Sequence, residues 1–270
     1  MSASTAVISE GLVLLDIADG IARIRLNRPE AANAVDADLL RELHSAVLRV
    51  HADPTVRVAV LSGEGRHFCA GGDVKTFLGK GDGLPDYLRE ATAWLQLATA
   101  ALIQLKVPVI AQIQGFAAGG AGFGFACAVD LVVAAESAKF FSGAVRVGMA
   151  PDGGTTVTLA RIVGVRKALD ILLTNPTLTA AEAHDLGIVS RVVPDAELAD
   201  AVNALAADLA AQPPLGLSAT KRLVWDGLGS TVVERMPEEA RVVSELSGTA
   251  DSLEALAAVI ERRPGVYEGR

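Results

Sequence analysis

Two glycine clusters offer the most chemistry in this sequence, because each exposes bare backbone to a ligand. The first, Gly63-Glu-Gly-Arg-His-Phe-Cys-Ala-Gly-Gly-Asp-Val74, follows the apolar run Val56-Arg-Val-Ala-Val-Leu. Small residues at 70, 71 and 72 allow close approach and leave N–H groups as donors. The second, Gly115-Phe-Ala-Ala-Gly-Gly-Ala-Gly-Phe-Gly-Phe-Ala-Cys-Ala-Val-Asp130, also follows an apolar run and opens a helix. A helix start preceded by glycine presents free N–H groups and a positive dipole end, which suits a developing oxyanion. A dinucleotide fingerprint is the competing reading. It would need glycine where Phe125 stands and a place near the start of the chain, so it is set aside.

The elements that must position these clusters are readable from periodicity. Leu12-Val-Leu-Leu-Asp-Ile and Ile21-Ala-Arg-Ile-Arg-Leu alternate and are joined across Asp19-Gly20, which predicts an antiparallel hairpin. From Asp36 to Val50, Leu39, Leu40, Leu43, Val47 and Val50 recur at helical spacing, with Asp36 placed to cap. A strand over 56–61, a helix over 85–105, a buried strand over 107–113 and a helix opened by the second glycine cluster follow. Residues 131–141 read as short strands. Helical patterns dominate from Thr155, with one strand-like break at 188–193 and an apolar helix face over 196–211 that must be buried. Strand, loop and helix recur, so the layout predicts an α/β (α+β) chain of repeated β-β-α units over 1–195 and a helical region over 196–270.

Composition limits the partners. The 270 residues are 51% hydrophobic and 21% charged, a globular balance with room for a sizeable core. A formal charge of −8 leaves no basic face for nucleic acid. The stretch between Lys106 and Asp130 is uncharged and long enough for a bilayer, but Pro108 and its five glycines argue for a strand, a turn and a helix. The opening residues lack the features of an export signal, so a cytoplasmic location is expected. Cys69 and Cys127 have no second ligand pair nearby, which argues against a zinc site or a disulfide.

Taken together, four motifs in order resemble the crotonase (enoyl-CoA hydratase/isomerase) superfamily. They are Asn27-Arg-Pro-Glu-Ala-Ala-Asn-Ala34, Phe68-Cys-Ala-Gly-Gly-Asp73, Gly115-Phe-Ala-Ala-Gly-Gly120 and Pro151-Asp-Gly-Gly-Thr155. The resemblance implies a spiral of β-β-α turns with a C-terminal helical trimerisation region, which includes 215–222 and Lys221, assembled as a homotrimer or a dimer of trimers. It implies an acyl-CoA substrate, with coenzyme A arriving as part of it and no metal or other cofactor. Two backbone N–H groups, at Gly72 and Gly120, would hold the thioester oxygen as negative charge develops there. Because Gly115 to Asp130 is one residue longer than the family pattern, Ala121 is the alternative to Gly120. Ala32, Ala70, Gly71, Gly72, Asp73, Val74, Gly119 and Gly120 would lie along the bound coenzyme A thioester.

The same resemblance bears on acid–base chemistry. Hydratases of the family use two glutamates, whose positions here fall on Phe123 or Gly124 and near Ala144. None of these can titrate. Asp152 sits where family isomerases carry a proton-moving aspartate, and an apolar pocket would raise its proton affinity toward neutrality. It also precedes a helix beginning near Gly154, so an N-capping role competes. Glu64 and His67 are expected in solvent. Asp73 is expected to fix its loop, and Asp130 to close a helix. Phe116, Phe123 and Phe125 are expected in the core or in the wall of an acyl pocket. The expected activity is a double-bond shift in an enoyl-CoA. Hydration, decarboxylation, thioester hydrolysis and simple acyl-CoA binding are the alternatives.

Overall fold

Alternating apolar residues build the first edge of the protein, of which a computed structural model describes residues 5–270. Strands β1 (Thr5–Ile8), β2 (Val13–Ala18) and β3 (Ile21–Leu26) pair antiparallel in chain order. Asp19 and Gly20 take positive φ angles of 52° and 76°, so Ala18 pairs with Ile21 across the tight turn the dipeptide predicts. Helix α1 (Ala37–Ala52) is capped by Asp36, which accepts from the Leu39 N–H at 2.9 Å. Its five periodic apolar residues are all buried.

Strand β4 (Val58–Gly63) starts two residues later than the apolar run suggests, because the Arg57 and Val58 N–H groups both turn to the Gly20 carbonyl. After it come α2 (Val74–Gly79), α3 (Leu84–Gln104), β5 (Val109–Ile113), β6 (Phe116–Ala118) and α4 (Gly119–Ala128). They are followed by β7 (Leu131–Ala135), β8 (Lys139–Phe141), α5 (Thr155–Val163), α6 (Val165–Thr174), β9 (Leu178–Thr179) and α7 (Ala180–Asp185). The chain ends with β10 (Arg191–Val193), α8 (Leu198–Ala210), α9 (Pro214–Gly227), α10 (Val232–Ser247) and α11 (Ala250–Glu261).

The large sheet has the order β1-β2-β3-β4-β5-β7-β10 and is parallel from β3 onward. A smaller sheet, β6-β8-β9, is prolonged by two single bridges, Cys69 with Ala117 and Val35 with Gly72. Each turn of the chain therefore lays down a long strand, a short inner segment and a helix. β4, the Cys69 bridge and α3 make one such turn, β5, β6 and α4 the next, and β7, β8 and α5 the third. These are the repeated β-β-α units that the sequence layout predicts, wound into the spiral that the resemblance implies.

Side chains alternate across β4, so Ala59 and Leu61 face the core under α1, α3 and α4, while Val58 and Val60 face the other way. There they meet Leu198, Val202, Leu205 and Ala206, so the apolar face of α8 is buried on the second side of the sheet. Helix α9 is fastened differently. Lys221 Nζ lies 2.8 Å from Asp130 Oδ2 and donates to the Leu102 and Val107 carbonyls at 3.1 Å. Trp225 Nε1 donates to Asp130 Oδ1 at 2.9 Å, and the Val109 N–H donates to Oδ2 at 2.8 Å. Asp130 thus does not close α4, whose end is capped at Val129; it ties α9 to the sheet. Among the described residues no helix is long and apolar enough to cross a membrane.

Candidate active site

The first glycine cluster is held by a ladder of backbone bonds. The Val35 N–H donates to the Gly71 carbonyl at 2.7 Å, and the Asp73 N–H to the Val35 carbonyl at 3.0 Å. In an extended segment successive residues point to opposite sides, so the Gly72 N–H is turned away from Val35. The loop is anchored further by Asn33, which is fully buried. Its Nδ2 donates to the Glu64 and His67 carbonyls, and its Oδ1 accepts from the Arg28 N–H. Asp73 accepts from the N–H groups of Lys75 and Thr76 and from the Thr76 hydroxyl, and pairs with Arg28 Nη2 at 2.8 Å. Burial alone would raise its proton affinity, but the Thr76 and Arg28 contacts outweigh burial and hold the carboxyl below its usual range.

The second cluster meets the first backbone against backbone. A Cβ on Gly71 would stand 2.9 Å from the Ala118 carbonyl oxygen and 3.0 Å from Gly119 Cα, a separation only glycine permits. Helix α4 then begins at Gly119 with no side-chain cap on its first N–H groups. Those groups have no acceptor within the helix and carry the positive end of its dipole. Gly119, Gly120 and Ala121 all line the cavity in front of that helix end.

Asp152 closes the arrangement from the opposite side. It starts a turn through Gly153 and Gly154, at φ 58° and 81°, in which the Thr155 N–H donates to the Asp152 carbonyl at 3.0 Å. The turn places the carboxylate directly on Gly120: a Cβ there would overlap Oδ1 and stand 2.7 Å from Cγ. Burial against this wall raises the proton affinity of Asp152, opposed by its own backbone N–H. The carboxylate nevertheless stays open to the cavity that it lines. Helix α5 is capped by Gly154 without a side-chain bond, so Asp152 does not serve as its N-cap.

The cavity measures about 460 Å³, within the range of small-molecule sites, and its wall is mainly apolar. Leu40, Phe77, Leu88, Leu95, Val147 and Met149 supply much of that wall. Asp152 and Arg146 are its only charged side chains. Arg146 is tied to the Asn175 carbonyl at 2.6 Å and lies over the Phe141 ring. Phe77 lies over Gly72, its Cζ 2.6 Å from where a Cβ would be.

Of the residues expected along the ligand, Ala70, Gly72, Val74, Gly119, Gly120 and Asp152 line this cavity, while Ala32, Gly71 and Asp73 are not part of its wall. The Ala32 carbonyl accepts from the Ala70 N–H at 3.0 Å, so it braces the loop. The glutamate positions of a hydratase are differently placed. Phe123 is fully buried, a Cβ on Gly124 would stand 2.7 Å from Thr155 Oγ1, and Ala144 is at the cavity wall. Phe125 is in the core, but Phe116 is 39% exposed and belongs to neither core nor cavity. His67 is not simply solvated: its ring stacks on Phe116 at 4.6 Å, burial lowers its proton affinity, and Nδ1 is buried. Glu64 is half-buried and lies 3.3 Å from Arg25. Cys69 and Cys127 are buried free thiols, pushed up to about 12 by desolvation. Phe77 and Arg146 carry no signal in the sequence, because chain periodicity does not distinguish them from core or surface, and Thr155 enters only as the end of the 151–155 motif.

The chain is similar along most of its length to known proteins. A family model described as enoyl-CoA hydratase/isomerase matches residues 16–270. A probable enoyl-CoA hydratase of Rhodobacter capsulatus is 36% identical over 255 residues, covering 94% of this chain and 97% of that protein. The 1,2-epoxyphenylacetyl-CoA isomerase of Escherichia coli is 33% identical over 260 residues, covering 96% and 98%. The crystal structure of an enoyl-CoA hydratase from Bacillus anthracis superposes with a TM-score of 0.91 at 30% identity, covering 96% of this chain and 100% of that one.

Proposed function

The chain belongs to the enoyl-CoA hydratase/isomerase family, and within that family we propose that it is an isomerase that shifts a carbon–carbon double bond of an enoyl-CoA. The observation that carries the choice is the cavity wall, where Asp152 is the only carboxylate and no glutamate occupies the hydratase positions. On a 3-enoyl thioester, the Asp152 carboxylate removes a proton from C2. The electron pair moves through the dienolate onto the thioester oxygen, where the N–H groups of Gly72 and Gly120 meet it. The protonated Asp152 then returns the proton to C4, leaving a 2-enoyl thioester and no net change in atoms.

Several features support these roles. Each oxyanion donor is worth roughly 100- to 1000-fold in rate, and the start of α4 supplies one from a fixed helix end. A carboxylate with raised proton affinity is a better base, and burial raises that of Asp152. Backbone around Ala32, Ala70, Gly71, Gly72, Asp73, Val74 and Gly119 would run beside the coenzyme A portion. We also propose a cytoplasmic homotrimer or dimer of trimers, in which the region over 196–270 supplies contacts. Val232, Val243, Val259 and Ile260 on α10 and α11 are 66–81% exposed in the single chain, an apolar surface suited to burial against another copy.

The test is turnover of 2-enoyl, 3-enoyl and dienoyl thioesters by wild type and Asp152→Ala, followed spectroscopically and by mass spectrometry. Isomerisation lost in the variant, with thioester binding retained, is the expected result. Hydration of crotonyl-CoA alone, or binding without turnover in either form, would refute it.

A further inference from the structure

Helix α4 carries glycine at 120 and 124, one turn apart and therefore on one face, about 5–6 Å from each other. The two polar side chains of the 152–155 turn fill those two places. Asp152 occupies the space beside Gly120, and Thr155 Oγ1 stands 2.7 Å from where a Gly124 Cβ would be. Gly153 fixes the turn between them, since a Cβ on it would meet the Gly120 carbonyl oxygen at 2.8 Å.

Thr155 is 1% exposed, and its hydroxyl has no partner among the described residues. Threonines in a helix commonly donate back one turn, as Thr158 does to the Gly154 carbonyl at 3.2 Å. Thr155 does not. A buried hydroxyl is ordinarily satisfied by protein or by water. Two hydrogen bonds through one bent water bridge span about 4.5 Å and at most about 5.5 Å, comparable with the ~5–6 Å between Cβ positions one helical turn apart.

We infer that Thr155 is a positioning residue whose hydroxyl, through a single bridging water, holds the Asp152 carboxylate in its working orientation. The inference deepens the isomerase reading and rests on it for the word working. Among the described residues no second carboxylate or amine lines the cavity beside Asp152, and the Thr92 hydroxyl already donates to the Leu88 carbonyl at 2.6 Å. Leu88, Ala91, Thr92 and Leu95 of α3, Val74 and Phe77 of α2, and Leu40 of α1 carry no charge. On α4 the only titratable group is the buried Cys127 thiol, and Arg146 on the 142–150 segment is held by the Asn175 carbonyl.

The experiment is a carbon-13 NMR titration of the aspartate carboxyls in wild type, Thr155→Val and Thr155→Ser, with Asp152 assigned by its loss in Asp152→Asn. A donor to the ionised form lowers proton affinity, so its removal raises it. Thr155→Val is expected to move the Asp152 midpoint up by ~0.7 pH unit, about a fivefold change in proton affinity, and Thr155→Ser to restore it. In the isomerase assay the acid limb of kcat/KM should move with it. A midpoint unmoved in Thr155→Val, or a serine variant that behaves like valine, would overturn the inference. Thr155→Ala serves in place of valine if that variant does not fold. Absence of isomerisation in wild type would count against the isomerase reading alone, because the titration needs no turnover.

Discussion

Replacing Gly120 with alanine separates a catalytic fault from a folding fault, because the two effects have opposite signs. Alanine is favoured over glycine within a helix by about 0.8–1.0 kcal/mol, so α4 itself should gain. The added Cβ, however, would stand 2.7 Å from Asp152 Cγ, where ordinary contact begins at 3.4 Å. The carboxyl carbon must therefore withdraw by at least about 0.7 Å (3.4 − 2.7), and Oδ1, which overlaps the new atom, must move further. A misplacement of about 1 Å at a reacting group costs on the order of 100-fold. We expect Gly120→Ala to lose about 100-fold in kcat on a 3-enoyl thioester, with thermal stability within a few degrees of wild type. The rate is read from the ultraviolet absorbance gained as the double bond enters conjugation with the thioester carbonyl. Calorimetric binding of a saturated acyl-CoA checks that the cavity is intact. In an Asp152→Ala background, which has no Cγ to displace, Gly120→Ala should cost nothing further. Turnover by Gly120→Ala within about threefold of wild type would refute the packing argument.

Two predictions concern stability. Burial raises the proton affinity of Asp152 above its ordinary value of 3.8, so over that window the folded state binds more proton than the unfolded chain. Stability is then lost as pH rises through the window, and Asp152→Asn should raise Tm at pH 7 with the gain vanishing below about pH 3.8. A Tm difference that does not change between pH 3 and 7 would contradict this. Asp130→Ala removes the counter-charge of buried Lys221 together with the partner of Trp225. It should cost about 3–5 kcal/mol in urea unfolding, and a loss under about 1 kcal/mol would show that α9 is held by other contacts.

What the sequence discloses here depends on whether the signal is local. The β2–β3 turn, the Asp36 cap and the apolar face of α8 are local patterns with a period, and the structure contains each of them. The inner ladder is not local. The Val35–Gly72 and Cys69–Ala117 contacts are single bridges, and a one-residue bridge has no periodicity to read. The tie between Asp130 and Lys221 spans 91 positions, so from the sequence alone a residue at a helix end reads as a cap. His67 and Phe116, 49 positions apart, are each unremarkable alone and stack only once the spiral closes. The cavity wall at Leu88, Ala91 and Leu95 shares its helical spacing with the core, so periodicity cannot separate one from the other.

The glycines of α4 are the exception, since they announce a site without saying what occupies it. Gly119, Gly120, Gly122 and Gly124 fall within the first six residues of the helix, each about 1 kcal/mol worse than alanine for helix formation. Local propensity alone would reject such a segment as a helix start. The structure accounts for all four by approach from two directions: Gly71 Cα and the Cys69 carbonyl lie against Gly119 and Gly122, while Asp152 and Thr155 lie against Gly120 and Gly124. The helix gives up stability so that a loop with N–H donors and a turn with a carboxylate can both reach its backbone. A departure from propensity that tertiary contact explains residue by residue is where function is expected to concentrate. The same reasoning places Thr155, which closes the 151–155 motif but has no role assigned to it there, beside the base.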